Sequence, residues 1–136
     1  MPPRLNQQDY RRLAEFRYQL RCFLEFSETA ATRAGLTPRQ HQALLAIKGT
    51  PAGTIPSVGY LAERLRIRHH SAVELADRLA DASLIMREPD AQDRRRVRLK
   101  LTATAEARLA TLSASHLSEL NRLRLVLLEL LGQPDA

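Results

Sequence analysis

The chain has 136 residues, 44% of them apolar and 26% charged, a size and balance that suit one domain with a real hydrophobic core. A net charge of +6 points to an anionic partner such as nucleic acid, and a single cysteine excludes an intramolecular disulfide and suits a reducing cytoplasm. The opening "MPPRLNQQDYRR" has no apolar signal core, and no run approaches the roughly 20 apolar residues that span a bilayer, so a cytoplasmic protein with no membrane partner is expected.

Leu, Ala and Arg are abundant and aromatics scarce, which leans towards helix. Asn6 is a good N-cap for a first helix ending near Gly35, and Leu13, Phe16, Leu20, Phe23, Ser27 and Ala30 recur on it at helical spacing. In "LTPRQHQALLAIKG" Thr37 and Gln40 form a capping box around Pro38. Leu44, Leu45 and Ile47 are the expected apolar face of this second helix, and Gly49 its stop. "TPAGTIPS" (50–57) is a Pro/Gly loop with one short extended piece around Thr54–Ile55. "SVGYLAERL" (57–65), capped by Ser57, is a third helix, and "HHSAVELADRLADASL" a fourth, with Val73, Ala76, Leu79 and Ala80 expected to face inwards. The tight link between the two suggests a helix-turn-helix.

The period then changes. "LIMRE" (84–88) reads as a strand, and Val97, Leu99 and Leu101 alternate with Arg96, Arg98 and Lys100, apolar in and cationic out. The two form a β-hairpin with an Asp/Arg tip, and from Arg94 to Lys100 five of seven residues are positive. Thr102 caps a last helical region reaching about Leu131, with Leu109, Leu112, Leu117, Leu120, Leu123, Leu127 and Leu130 recurring on it. Either one helix of about 28 residues or two, kinked near "SAS" (113–115), fits the pattern. The fold class is therefore mainly α with a small β-hairpin wing.

This order, and above all "LAERLRIRHHSAVELADRLADASLIMREPDAQDRRRVRLKLT" (61–102), resembles the MarR-type transcriptional regulators. "LAERL", "DRL" and "D-R-R-x-V-x-L-x-L-T" look like the family's helix-turn-helix and wing signature, and the likeness runs from about residue 10 to 120. Three places depart from the family pattern: Arg66 stands where the helix-turn-helix turn usually has Gly, Ser83-Leu84 where Gly-Leu is usual, and "TATA" where Thr-Pro-x-Gly is common. The final region is also short.

The resemblance implies a single winged helix-turn-helix domain over residues 1–136. Its DNA-binding part would cover about 37–102, between dimerisation helices at about 6–34 and 103–131. It implies a recognition helix in the major groove, carrying Arg68, His69, His70, Ser71, Glu74 and Arg78. The wing would bring Arg94, Arg95, Arg96, Arg98 and Lys100 to the phosphates and the minor groove, with Asp93 aiming Arg95 as the probing residue. Leu13, Phe16, Leu20, Leu120, Leu123 and Leu127 are the expected dimer contacts. The partners are then double-stranded DNA and a second copy of the chain on a palindromic operator. A small aromatic or phenolic effector would release a repressor.

Plainer readings stand beside these. The Arg-rich hairpin taken alone is a solvated strand face, His69 and His70 an exposed helix start, and about half of the leucine stripe an ordinary core. "RCFLEF" resembles the first-helix cysteine segment of the hydroperoxide-sensing branch of the family, which makes Cys22 a candidate redox switch and a thiol-based regulator the alternative function. Its neighbours in sequence, Arg21, Tyr18 and Phe26, match an inert buried cysteine better. A winged helix used only as a protein-interaction module is the third reading. His41 and His116 form no compact ligand set, so no metal is expected. No Ser/His/Asp constellation, Gly-rich phosphate loop or paired catalytic carboxylates can be found, so neither an enzyme nor a cofactor is expected.

Overall fold

The helices begin where a side chain can close the first turn. In the computed structural model, which describes residues 1–132, they are α1 (Gln7–Arg33), α2 (Pro38–Lys48), α3 (Val58–Leu65), α4 (His69–Asp81) and α5 (Ala103–Leu131). Asn6 and Thr37 complete capping boxes with Asp9 and Gln40, while the hydroxyls of Ser57 and Thr102 accept from the Tyr60 and Ala105 amides. The leucine-rich C-terminal region is one continuous helix of 29 residues, with no break at Ser113–Ser115.

The period-two segments form β1 (Ile85–Pro89) and β2 (Val97–Leu101), paired antiparallel from Ile85 opposite Leu101 to Pro89 opposite Val97. The extended piece anticipated at Thr54–Ile55 is not a strand. A single bond from the Leu99 amide to the Pro56 carbonyl, 2.8 Å, fastens that loop to the outer edge of β2.

Leu44, Leu61, Leu79 and Leu99 are the largest fully buried side chains, one each from α2, α3, α4 and β2. Full burial of a leucine contributes about 1.5–3 kcal/mol, so these four tie the winged helix into one body. Ala31 and Leu36 at the end of α1, and Ala105, Leu109 and Leu112 on α5, close the same core. The long helices pack on each other beyond it.

Three inward assignments are corrected. Leu45, Val73 and Val97 are exposed. On α2 the buried set is His41, Ala43, Leu44 and Ile47, and on α4 it is Ala72, Leu75, Ala76 and Leu79. In both helices the buried face is shifted towards the preceding residues, where two small alanines, Ala43 and Ala72, are fully buried. Val97 sits opposite Pro89 at the tip end of the hairpin, next to the turn, and is exposed where Leu99 and Leu101 are buried.

Helices α1, α3 and α4 end in the same way. In each, an amide two or three residues past the helical stretch returns to the carbonyl five residues back: Leu36 to Ala31, Ile67 to Ala62 and Leu84 to Leu79, at 3.0, 3.0 and 2.9 Å. The residue before each of those amides is left-handed: Gly35 (φ 79°), Arg66 (φ 56°) and Ser83 (φ 58°). This closing motif favours glycine, because an L side chain crowds the backbone there. Only the first of the three has it.

Candidate nucleic-acid interface

The exposed face of α4 carries His69, His70, Val73, Glu74, Asp77, Arg78 and Asp81. Ser71, expected among the readers, is half-buried at the edge of that face. Arg68 occupies the N-cap in extended backbone and makes no side-chain capping bond, unlike the cap residues of the other four helices. The first-turn amides of α4 therefore have no side-chain acceptor, which suits an approaching phosphate oxygen. Asp77, near the middle of the face, is ion-paired with Arg87 of β1, so its charge is partly cancelled within the fold.

The wing tip is built around two aspartates. Asp93 Oδ1 accepts from both the backbone amide and the Nε of Arg95, each at 3.2 Å. That is the pairing the Asp93-to-Arg95 spacing led us to expect. Both partners face water, with the Arg95 side chain 91% exposed, so the contact orients more than it stabilises. The second aspartate, Asp90, went unassigned in the sequence, and it is the buried one. It accepts from the Gln92 amide (3.1 Å), the Asp93 amide (3.0 Å) and Arg98 Nη1 (3.4 Å), while its own amide donates to the Arg96 carbonyl (2.8 Å). A short acidic side chain followed by two bonded amides is an Asx-type turn, a signal available in "PDAQD".

Arg98, half-buried, pairs with Asp90 at 3.4 Å. Arg94, Arg96 and Lys100 remain exposed on the outer face of the wing.

The long helices present an apolar surface. Leu13, Phe16, Leu20 and Leu120, all named from the sequence, are exposed, and so are Leu24, Leu117, Leu125 and Leu128. Leu127 is half-buried. Leu123 is corrected, since it is buried against the rest of its own chain. Successive turns of a helix share leucines between an inner and an outer face, and spacing alone does not say which is which.

Cys22 is half-buried on α1, one turn after Tyr18, and its thiol raises the pKa of the tyrosine. Arg122 of α5 lies within electrostatic reach of the thiol and is itself held by Glu119. His41 and His116, far apart in sequence, have ring centroids 4.8 Å apart where α1, α2 and α5 meet, with Phe23 and Phe26 packed on His116. His116 bonds the Leu112 carbonyl through Nδ1 (2.7 Å) and the Ser27 hydroxyl through Nε2 (2.8 Å). Burial, then the nearby His116, lowers the pKa of His41. Among the described residues no three His, Cys, Asp or Glu side chains converge as a metal site, and no helix is long and apolar enough to cross a membrane.

No curated protein sequence matches the chain. The model of the MarR family matches residues 34–96, the span from the end of α1 to the wing. Solved structures align over most of the length. A MarR family protein from Bacillus stearothermophilus is 21% identical, with 88% of this chain and 82% of that one covered and a TM-score of 0.72. A mutant of S. aureus MepR bound to an oligodeoxyribonucleotide is 19% identical, with 83% and 80% covered and a TM-score of 0.64. CouR from Rhodococcus jostii RHA1, bound to p-coumaroyl-CoA, is 18% identical, with 85% and 87% covered and a TM-score of 0.62. With its helix-turn-helix, two-stranded wing and long flanking helices, the chain has the winged-helix fold of the MarR-family structures, and its segment 34–96 matches that family's model.

Proposed function

We propose that the protein is a sequence-specific DNA-binding transcription regulator, acting as a homodimer on a palindromic operator. The observation that carries this reading is the wing. Arg95 projects 91% exposed from a turn tied down by Asp90 and Asp93, in the same body as the exposed face of α4. A guanidinium with no part in the core, on a hairpin already ordered before binding, suits the narrow, negative minor groove and loses little entropy on insertion. Arg68, His69, His70, Glu74 and Arg78 would then read and clasp the adjacent major groove. The likeness to MepR, solved on an oligodeoxyribonucleotide, supports this reading.

The domain divides into a DNA-binding part, about 37–102, and dimerisation helices at about 6–34 and 103–131. The many large apolar side chains exposed along α1 and α5 support the dimer, because so much exposed apolar surface suits an interaction site. On this reading the protein is a cytoplasmic repressor released by a small aromatic or phenolic ligand, and the likeness to CouR, solved with p-coumaroyl-CoA, supports a ligand of that kind.

The test is selection of duplexes from random DNA, followed by a salt titration of the best binder. Arg94, Arg96 and Lys100 on each of two protomers would neutralise about six phosphates, giving a log–log salt slope near −5. A flat salt dependence, or no duplex enriched, removes the proposal and leaves the protein-interaction module.

A further inference from the structure

Val73 is the one apolar side chain on the outward face of α4. It stands 37% exposed among His69, His70, Glu74 and Asp77. Helix geometry puts it one turn beyond His69 and His70, in the half of α4 that enters a groove first. The fold gives no reason for a valine here. The core is filled by Ala72, Leu75, Ala76 and Leu79, with Val73 outside that buried set, and a β-branched residue is a poorer helix former than alanine. Its neighbour one turn on, Asp77, is already engaged by Arg87, so the centre of the face is less acidic than the sequence suggests.

In the major groove only one standard base offers an apolar group on its edge, the 5-methyl of thymine. We infer that Val73 is a specificity-determining residue that packs on a thymine 5-methyl group in each operator half-site, next to the base pairs met by His69 and His70. This rests on the proposed DNA-binding function and assigns one position of the recognition code within it. Adenine, guanine and cytosine at that position would leave the valine against a polar edge and so be disfavoured.

The experiment takes the operator obtained by selection and replaces each thymine of one half-site, singly, with deoxyuridine, which removes the methyl and nothing else. Full-length wild type and Val73→Ala, a change that keeps helix propensity and leaves the buried set of α4 intact, are measured on each duplex, with a urea melt to show that both are folded. For wild type, one uracil position is expected to weaken binding about fourfold, the factor that burial of one methyl group supplies. Val73→Ala should bind the thymine operator weaker by a similar factor and be indifferent to that uracil. Wild-type indifference to every uracil, or undiminished uracil sensitivity in Val73→Ala, overturns the inference while leaving DNA binding intact. Failure of wild type to bind any selected duplex overturns both.

Discussion

Arg66→Gly and Ser83→Gly should each stabilise the protein. Both residues sit at φ near +57°, the last left-handed residue of a closed helix end, where Gly35 occupies the equivalent place after α1. The left-handed conformation costs an L-residue roughly 1–2 kcal/mol. Glycine removes that strain but adds about 0.4–1 kcal/mol of unfolded-chain entropy. The difference is a net gain of about 0.5–1 kcal/mol per site. Little else is lost. Arg66 is exposed, and the bond from the Thr102 hydroxyl reaches the Ser83 carbonyl, which glycine retains. Gly35→Ser is the reverse control. Open space surrounds a Cβ built at Gly35, so only the backbone resists the change, and a loss of about 0.5–1 kcal/mol is expected. Urea melts at one fixed protein concentration, with m unchanged, read the effect as a shift in midpoint. Unchanged or lower stability in both glycine variants would refute the strain argument.

Four further outcomes follow from particular contacts. Asp90→Ala leaves the Gln92 and Asp93 amides and Arg98 without their buried acceptor, costing about 1–3 kcal/mol in a melt and speeding hydrogen exchange at those two amides; unchanged exchange would deny Asp90 its role. His41 has a lowered folded pKa, so the unfolded chain binds the proton more readily. Stability from this group is complete above pH about 6.5 and is lost as pH falls below it, with a slope of at most ~1.4 kcal/mol per unit; melts of wild type and His41→Phe at pH 5 and 7.5 should differ in that direction. Leu120→Arg, at an exposed position of α5, should shift the protein from dimer to monomer in analytical ultracentrifugation without altering its helical circular dichroism. Peroxide should leave wild type and Cys22→Ser equally bound to DNA; release of wild type alone would favour the thiol-switch reading.

Much of the fold is written locally. Asn6, Thr37, Ser57 and Thr102 mark helix starts because a side chain three residues from an amide decides them, with no tertiary information. The hairpin is legible because alternation reverses the environment at every step. What was misread needed the third dimension. Leu45 and Val73 look like core by type, yet the small alanines before them, Ala43 and Ala72, take the buried positions. Leu123 belongs to an inner turn of α5 that spacing does not distinguish from the outer one. The ends of α3 and α4 were visible only as departures from a family's glycines, and the structure gives those departures a physical meaning as strained left-handed residues. At the wing, the exposed pair Asp93 and Arg95 was found through its charge, and Asp90 was missed because its work is done with backbone amides.

Arg95 stands at the wing tip, and one number tests its role there: the affinity lost on the selected operator when Arg95 becomes alanine. Arg95 contributes nothing to the core, so the variant should fold as wild type does and lose about 1–3 kcal/mol of binding at moderate salt. Arg95→Ala binding as tightly as wild type would contradict the account.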